Sequence, residues 1–269
     1  MKLEWQVDIN RIELPEQIFG IVIGDEGCIY RTLDSRWIGW VEKALTKNLV
    51  IRYVTPIVPN QYIEELFNYI VDLTAIVKLK VTFNDYGMLY RCKQLIEKDL
   101  ITPVLGRIIT RSIVDCPWID ELLKHEDPSL TVAITGSNLV HQSKWDIMQK
   151  YRIKEIEVNS STLKDAVQLR RNRLILTGYT SNALVSVGRV CYSARWQGLE
   201  LPQCCNDPRC LKKLFIEIDQ KWGKMKLIYE EPSEQVKEKY QGLFIRGNIV
   251  YKQLSEQDPQ PEMFDFVIT

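Results

Sequence analysis

Short apolar, β-branched runs alternate along most of the chain with amphipathic segments that are long enough for helices. Residues 18–24 form the first such run and residues 37–45 the amphipathic segment behind it, and the pair recurs over residues 49–54 and 61–73. Apolar positions in the last of these segments recur at spacings of three and four, as on one face of a helix. Strands that alternate with helices in this way belong to parallel β/α units.

The same alternation continues as far as residue 177. It predicts further strands at residues 77–83, 100–105, 130–134, 153–158 and 174–177, and further helices at residues 88–98, 117–124, 143–151 and 162–171. About seven such units are typical of an α/β fold of the (β/α)-barrel, TIM-barrel-like class, here complete or incomplete. An open, doubly wound sheet is disfavoured because no glycine-rich phosphate loop follows an early strand.

The pattern changes after residue 191. A cysteine-rich loop over residues 191–210 precedes short runs at 214–218, 225–229, 242–246 and 248–251, which indicate antiparallel strands with a turn at 246–248. We therefore predict a barrel-like domain over residues 1–212 that includes this loop, and a β-rich C-terminal extension of the same domain over residues 213–254. Residues 255–269 are predicted to be a polar tail.

Composition excludes several classes of protein. The chain has 269 residues, 35 Lys and Arg against 35 Asp and Glu, and 45% hydrophobic residues. This apolar content excludes wholesale disorder, and the absence of net charge argues against a nucleic-acid binder driven by electrostatics. No uncharged apolar run reaches the length of a membrane span, and the N-terminal residues lack the apolar region of a signal peptide. We expect a cytoplasmic protein, whose thiols stay reduced.

Cysteines are the unusual chemical resource of this chain. Of the seven, Cys191, Cys204, Cys205 and Cys210 lie close together in a polar, proline-containing loop, where free thiols would be open to oxidation. Such a loop can present several thiolates to zinc or to an iron–sulfur cluster, and the wide gap before Cys210 departs from the usual zinc spacing. Cys28 directly follows a predicted strand and is a candidate for a further ligand. Loose reduced thiols, or a disulfide or thiol-redox role, are the alternatives.

Three stretches of sequence carry a family resemblance. They are residues 24–28 (Gly-Asp-Glu-Gly-Cys), residues 83–89 (Phe-Asn-Asp-Tyr-Gly-Met-Leu) with 105–107 (Leu-Gly-Arg), and residues 188–195 (Gly-Arg-Val-Cys-Tyr-Ser-Ala-Arg) with the Cys pair at 204–205. In order and spacing they resemble the peptidase U32 (collagenase-like) family, and within it the iron–sulfur members of the UbiU and UbiV type. The resemblance covers roughly residues 18–215.

This resemblance implies a β/α-barrel-like fold and a [4Fe–4S] cluster. Carried over position by position, Cys28, Cys191 and Cys204 match cluster ligands. The fourth ligand is Cys210, or else the adjacent Cys205; adjacent residues rarely both reach one cluster, which favours Cys210. Zinc is the alternative cofactor.

The resemblance also implies a function. Members of the UbiU and UbiV type act as a heterodimer in oxygen-independent hydroxylation, so we expect this chain to act in that or a related biosynthetic modification of a small molecule. Its partner would be a second U32-like protein, or a second copy of itself. Residues 177–184 lack the His and Cys of the collagenase-like branch, which disfavours a peptidase. The alternative from another class is a non-catalytic, metal-stabilised scaffold subunit that binds a partner.

Three polar residues are candidates for substrate contact at the barrel mouth. Asn84 and Asp85 follow a predicted strand, and their alternative role is to form a turn before Gly87. Arg107 follows the next strand, where it could bind a carboxylate or phosphate. Its alternative role is a structural salt bridge.

Two arginines and two cysteines complete the set of candidates. Arg189 and Arg195 flank Cys191 in sequence and would offset the negative charge of a thiolate-bound cluster. Cys92 and Cys116 fall on or beside helical patterns instead of in the polar loop, and we expect both to be structural.

Overall fold

The computed structural model describes residues 1–10, 13–110, 116, 119, 123–124, 126–135, 139, 142–159, 173–199, 214–215, 241–254 and 264–269. The strands are β1 (Lys2–Gln6), β2 (Gly20–Gly24), β3 (Val50–Val54), β4 (Leu79–Phe83), β5 (Ile101–Leu105), β6 (Glu155–Asn159), β7 (Ile175–Tyr179), β8 (Asn182–Val187), β9 (Leu214–Phe215), β10 (Leu243–Arg246), β11 (Ile249–Gln253) and β12 (Phe266–Ile268). The helices are α1 (Ile29–Thr32), α2 (Trp37–Thr46), α3 (Ile63–Ile76), α4 (Tyr86–Arg91), α5 (Lys93–Glu97), α6 (Arg107–Thr110), α7 (Pro128–Thr135), α8 (Gln142–Lys150) and α9 (Tyr192–Gln197), with a 3-10 turn at Asn60–Tyr62. Within these ranges no helix has both the length and the apolar character needed to cross a bilayer.

Eight parallel strands form a closed barrel in the order β1-β12-β7-β6-β5-β4-β3-β2. The predicted TIM-barrel-like fold is confirmed, and its barrel is complete. Helices α2 and α3 pack outside the wall, where Trp37, Val41, Leu66 and Ile70 are buried in the main apolar core. The predicted helix at residues 162–171 and the predicted strand at 225–229 lie outside the described residues.

The strand that closes the barrel comes from the last residues of the chain. Residues 264–269 belong to the segment that we expected to be a polar tail, but Phe266–Ile268 are buried and pair in parallel with both β1 and β7. This expectation was wrong for these residues because a three-residue strand is too short to show a period. The wall therefore joins the two ends of the chain.

Residues 130–134 were predicted to form a strand and instead lie within helix α7. Pro128 opens this helix, and the Asp127 side chain accepts a hydrogen bond from the Ser129 N–H at 2.7 Å. Proline in the first turn and a capping aspartate both favour helix initiation. The β-branched run that suggested a strand is outweighed by these local start signals.

The barrel interior is charged. Arg52 on β3 is fully buried and forms ion pairs with Glu4, Glu155 and Glu157, the last at 3.1 Å between Nη1 and Oε1. Lys80 adds a second cation, 2.9 Å from Glu155. Buried charges are tolerated only when they are paired in this way.

A second, antiparallel sheet of order β8-β11-β10-β9 lies at the carboxyl ends of the barrel strands. The predicted turn at residues 246–248 joins β10 to β11, whereas β8 was not predicted. Apolar side chains of Leu184, Phe244 and Ile249 from this sheet pack on Ile108 from α6 in a small core. This sheet brings a hairpin turn over the mouth of the barrel.

Candidate functional site

A cavity of about 370 Å³ lies between the barrel mouth and the second sheet. Its walls are formed by residues that follow barrel strands or β8 in the chain, and by the turn at residues 246–248. They include residues within 25–31 after β2, residues within 56–62 after β3, and Arg189 and Cys191 after β8. The carboxyl ends of the strands are where β/α-barrel enzymes hold their active sites. This volume falls within the range of small-molecule and cofactor sites.

Cys28 enters the cavity from the barrel. It lies just before helix α1, four residues beyond the end of β2, and is partly buried. Burial raises the pKa of its thiol to about 12, and the nearby negative charge of Asp25 contributes to the rise. Near neutral pH this sulfur is therefore a thiol unless a cation compensates the thiolate charge.

Cys191 enters the same cavity from the second sheet. It is the N-cap of α9, where its Sγ accepts the Ala194 N–H at 3.4 Å and its thiol donates to the Gly247 carbonyl at 3.7 Å. Cys28 and Cys191 thus line one cavity although they lie far apart in sequence. Cys204, Cys205 and Cys210 lie outside the described residues, and the part of the chain that is described contains no group of three or more His, Cys, Asp or Glu placed to hold a metal ion.

The hairpin turn connects the two cysteine segments. Gly247 exchanges two hydrogen bonds with Ser193 of α9: its N–H donates to Oγ at 2.8 Å, and its carbonyl accepts the Ser193 N–H at 3.0 Å. On the other side, the Asn248 N–H donates to the Gly27 carbonyl at 3.0 Å. Gly247 has a φ of +64°, and a Cβ there would lie 2.2 Å from the Gly27 oxygen, so the close approach requires glycine.

The cavity wall carries more positive than negative charge. Arg31, Arg189 and Arg246 face a single lining carboxylate, that of Asp25, which leaves an excess of two positive charges while the thiols are protonated. Oδ2 of Asp25 is 3.1 Å from both Arg31 Nη1 and Arg246 Nη2. Burial alone would raise the pKa of this carboxyl, but the two guanidinium groups hold it below its ordinary value. The wall therefore favours an anionic occupant.

Two polar atoms in the wall have no hydrogen-bond partner among the described residues. They are the buried Arg31 Nε, a donor, and the buried Asn248 Oδ1, an acceptor. Buried polar groups without partners are rare in native proteins and point to a missing ligand, ion or water. A thiolate-bound metal centre carries net negative charge and sulfur acceptors, so the two thiols, the arginines and the free Nε–H fit such a group.

Asn84 and Asp85 hold the barrel mouth together. The Asn84 side chain donates to the Thr55 carbonyl at 2.9 Å and accepts the Ile108 N–H at 3.0 Å, which joins the ends of β3, β4 and β5. Asp85 caps α4 by accepting the Met88 N–H at 2.9 Å. Neither residue lines the cavity that contains the two cysteines.

Arg107 is buried beneath the second sheet. It pairs with Glu26, donates from Nη1 to the Asn182 carbonyl at 2.6 Å, and lies 3.6 Å from the centre of the Tyr179 ring. The Tyr251 hydroxyl donates to the same Glu26 at 2.9 Å. These contacts connect the barrel to the second sheet and give Arg107 a structural salt bridge.

The two arginines beside Cys191 are placed differently. Both arginines are exposed, but only Arg189 lines the cavity, and Arg195 on α9 is not part of the wall. Sequence reasoning missed Arg31 and Arg246, which the fold brings to the same wall. Arg31 lies only three residues after Cys28, a signal that was available, but Arg246 belongs to a turn that carried no functional pattern.

Comparisons with known proteins gave one structural similarity. No family model matches the chain, and no curated protein matches it. A solved structure described as that of the U32 peptidase Mk0906 is similar with a TM-score of 0.44 and 10% sequence identity, over 100% of this chain and 92% of that one.

Proposed function

We propose that the cavity at the barrel mouth binds a [4Fe–4S] cluster through Cys28 and Cys191, with Cys204 and Cys210 as the remaining ligands. The observation that carries this proposal is that two thiols line one positively charged cavity: Cys28, which follows barrel strand β2, and Cys191, which follows strand β8 of the second sheet. Four thiolates are the usual ligand set of such a cluster. The resemblance of the surrounding motifs to iron–sulfur members of the U32 family supports the same choice.

Cys204 and Cys210, the proposed ligands that follow Cys191, are each only a few residues away from a described segment. Cys210 lies four residues before Leu214, which pairs with Ile245 two residues from Gly247 in the cavity wall. Four extended residues span at most about 14 Å, so Cys210 lies within that distance of Leu214. Cys204 lies five residues after Leu199 and has a similar reach.

The residues of the wall have complementary roles around such a group. Arg31, Arg189 and Arg246 offset the negative charge of thiolate ligands, and the unpartnered Arg31 Nε–H supplies a hydrogen bond to sulfur. The apolar faces of Ile57 and Tyr62 limit the access of water. When bound, an iron–sulfur cluster supplies electron transfer, or a Lewis-acidic iron if one ligand position is open.

On the basis of the family resemblance, we propose that the chain acts in an oxygen-independent hydroxylation or a related biosynthetic modification of a small molecule. A second U32-like subunit is the proposed partner, with a homodimer as the alternative, and the proposed location is the cytoplasm. A second candidate function is a metal-stabilised, non-catalytic subunit, with zinc as the alternative metal. It is favoured by the state of Asp25, because this carboxylate is tied to two arginines and is not free for acid–base work.

Anaerobic purification with iron, sulfide and zinc analysis tests the proposal. We expect about four iron and four sulfide per chain with a broad visible absorption band, as for a [4Fe–4S] cluster. Stoichiometric zinc without iron would overturn the iron–sulfur assignment and favour the second candidate. Protein that holds neither metal under these conditions would overturn both.

Single cysteine variants assign the ligands. Replacement of Cys28 or Cys191 by Ser should abolish iron binding, whereas Cys92→Ala serves as a matched control, because Cys92 is fully buried in the main core away from the cavity. Loss of iron in the Cys205 variant with retention in the Cys210 variant would reassign the fourth ligand.

A further inference from the structure

The two thiols that line the cavity, those of Cys28 and Cys191, lie on separate parts of the fold. Cys28 is fixed to the barrel through β2 and α1, and Cys191 is fixed to the second sheet through β8 and α9. Glu26 joins the barrel to the second sheet through Arg107 and Tyr251. The relative position of the two thiols also depends on contacts between the barrel loop at residues 25–28 and the hairpin turn at residues 246–248, since that turn holds Cys191 through Gly247. We call these two segments the junction.

Asp25 makes the side-chain contacts of the junction. Its Oδ1 accepts the Gly27 N–H at 2.8 Å, which shapes the loop directly before Cys28. Its Oδ2 lies 3.1 Å from Arg31, in the helix that follows Cys28, and 3.1 Å from Arg246, at the start of the turn. One carboxylate, itself only 4% exposed, therefore ties both sides of the early thiol to the turn that contacts the late one.

Without the Asp25 side chain, the junction would depend on its backbone contacts. The Asn248 N–H to Gly27 carbonyl bond crosses it at 3.0 Å. Without the Asp25 charge, the guanidinium groups of Arg31 and Arg246 would lose the carboxylate that lies 3.1 Å from each of them. Like charges in a partly desolvated site repel strongly, and this repulsion would push the turn away from the barrel loop.

We propose that Asp25 is a positioning residue that sets the separation of the Cys28 and Cys191 sulfurs, so that both can bind one metal centre. The proposal deepens the proposed function and rests on it for the identity of the metal. The placement of the two thiols is testable on the metal-free chain, without reference to iron. Asp25 acts here through the arginines and the loop, and it contacts neither sulfur through a hydrogen bond in the structure.

The test uses a trivalent arsenical, phenylarsine oxide, which binds tightly where two thiols can reach one arsenic atom. The protein is the full chain with Cys116, Cys204, Cys205 and Cys210 replaced by Ser, so that Cys28, Cys191 and the core thiol of Cys92 remain. We expect this reduced, metal-free chain to bind one equivalent of phenylarsine oxide. Removal of either Cys28 or Cys191 should abolish the tight binding.

Asp25→Asn in this background keeps the acceptor for the Gly27 N–H but removes the charge. We expect the affinity for phenylarsine oxide to fall about a hundred-fold, as when two linked sites are no longer engaged together. Glu64→Gln is the matched control, since Glu64 also pairs with an arginine, Arg91, but lies outside the cavity wall. Its affinity should equal that of the background.

Arg246→Gln breaks the same link from the other side and replaces Asp25→Asn if that variant does not fold. The double variant should bind no more weakly than Arg246→Gln alone, because both changes remove one connection. An unchanged affinity in folded Asp25→Asn or Arg246→Gln protein would overturn the inference, as would a background chain that does not bind the arsenical tightly.

Failure of the inference and failure of the proposed function give different results. Arsenical binding that depends on Asp25, in a protein that never contains iron, would support the inference and overturn the iron–sulfur assignment. Iron in the natural chain, with arsenical binding that is independent of Asp25, would support the assignment and overturn the inference.

Discussion

The barrel interior and the cavity at the barrel mouth are both polar, and they differ in how their charges are balanced. In the interior, Arg52 and Lys80 face Glu4, Glu155 and Glu157, and these ion pairs link strands β1, β3, β4 and β6. Two cations face three carboxylates there, and the hydroxyl groups of Thr82 and Tyr179 complete the contacts of Glu157. Such a network holds strands in register and leaves none of these carboxylates without a partner.

At the mouth the balance is different. Three guanidinium groups, from Arg31, Arg189 and Arg246, share the wall with the one carboxylate of Asp25, and the buried Asn248 Oδ1 has no partner among the described residues. A folded protein tolerates such an imbalance where a ligand completes it. The mouth differs from the interior because an excess of positive charge and two polar atoms without partners among the described residues, Arg31 Nε and Asn248 Oδ1, lie in one cavity wall.

The largest effect on stability is expected when the ion-pair network in the barrel interior is broken. Arg52→Met removes the cation shared by three buried glutamates, so we expect a loss of about 3–5 kcal/mol in the free energy of unfolding, measured by urea denaturation. Arg36→Met is the control, because Arg36 forms an exposed pair with Asp34 that should contribute less than about 1 kcal/mol. Equal losses in the two variants would show that the interior network does not stabilise the barrel.

A smaller effect is expected from the pH dependence of the same network. Burial raises the pKa of Glu157 from 4.5 to about 7, despite the opposing charge of Arg52. Because the folded pKa is the higher one, the stability linked to this carboxyl is present below pH 4.5 and is lost as pH rises through 7. Between pH 5 and 8 the natural chain should lose roughly 2–3 kcal/mol relative to Glu157→Gln.

Urea denaturation of both chains across that pH range measures this difference. The low pKa of Asp25 does not interfere, since its linked stability is lost only as pH falls below the ordinary value of an aspartate. A constant difference in stability between the two chains from pH 5 to pH 8 would contradict the assignment of a titrating proton to Glu157.

The smallest effect on stability is expected at the mouth, with a larger effect on metal binding. Gly247→Ala places a Cβ against the Gly27 carbonyl at a positive φ, which should cost roughly 1–2 kcal/mol of stability and displace the turn that contacts Cys191. Iron content after anaerobic purification should fall with it. Gly39→Ala is the control, since a Cβ there, in helix α2, meets nothing within 4 Å.

Retention of full iron content in Gly247→Ala would show that the turn does not position the late thiol. The same result would weaken the contrast between the two regions, because the mouth would then tolerate changes that a ligand site should not.

Sequence patterns predicted the parts of this protein that depend on near neighbours. Apolar residues that repeat every two residues indicated strands, and those that repeat every three to four indicated helices, which identified most elements of the barrel. The segment Arg246-Gly247-Asn248 was recognised as a turn. Cys28 was placed at the carboxyl end of a strand for the same local reason. Residues 130–134 show the limit, since a β-branched run was outweighed by the start signal at Asp127 and Pro128.

Tertiary structure alone decided which distant residues meet. The closing strand Phe266–Ile268, the pairing of Arg52 with three glutamates, and the convergence of Cys28 with Cys191 each join segments far apart in sequence. The sequence by itself determined a β/α chain with a thiol at the end of an early strand. Which partners that thiol and those charges find depends on barrel closure and strand register, because contacts between remote segments leave no period in the local sequence.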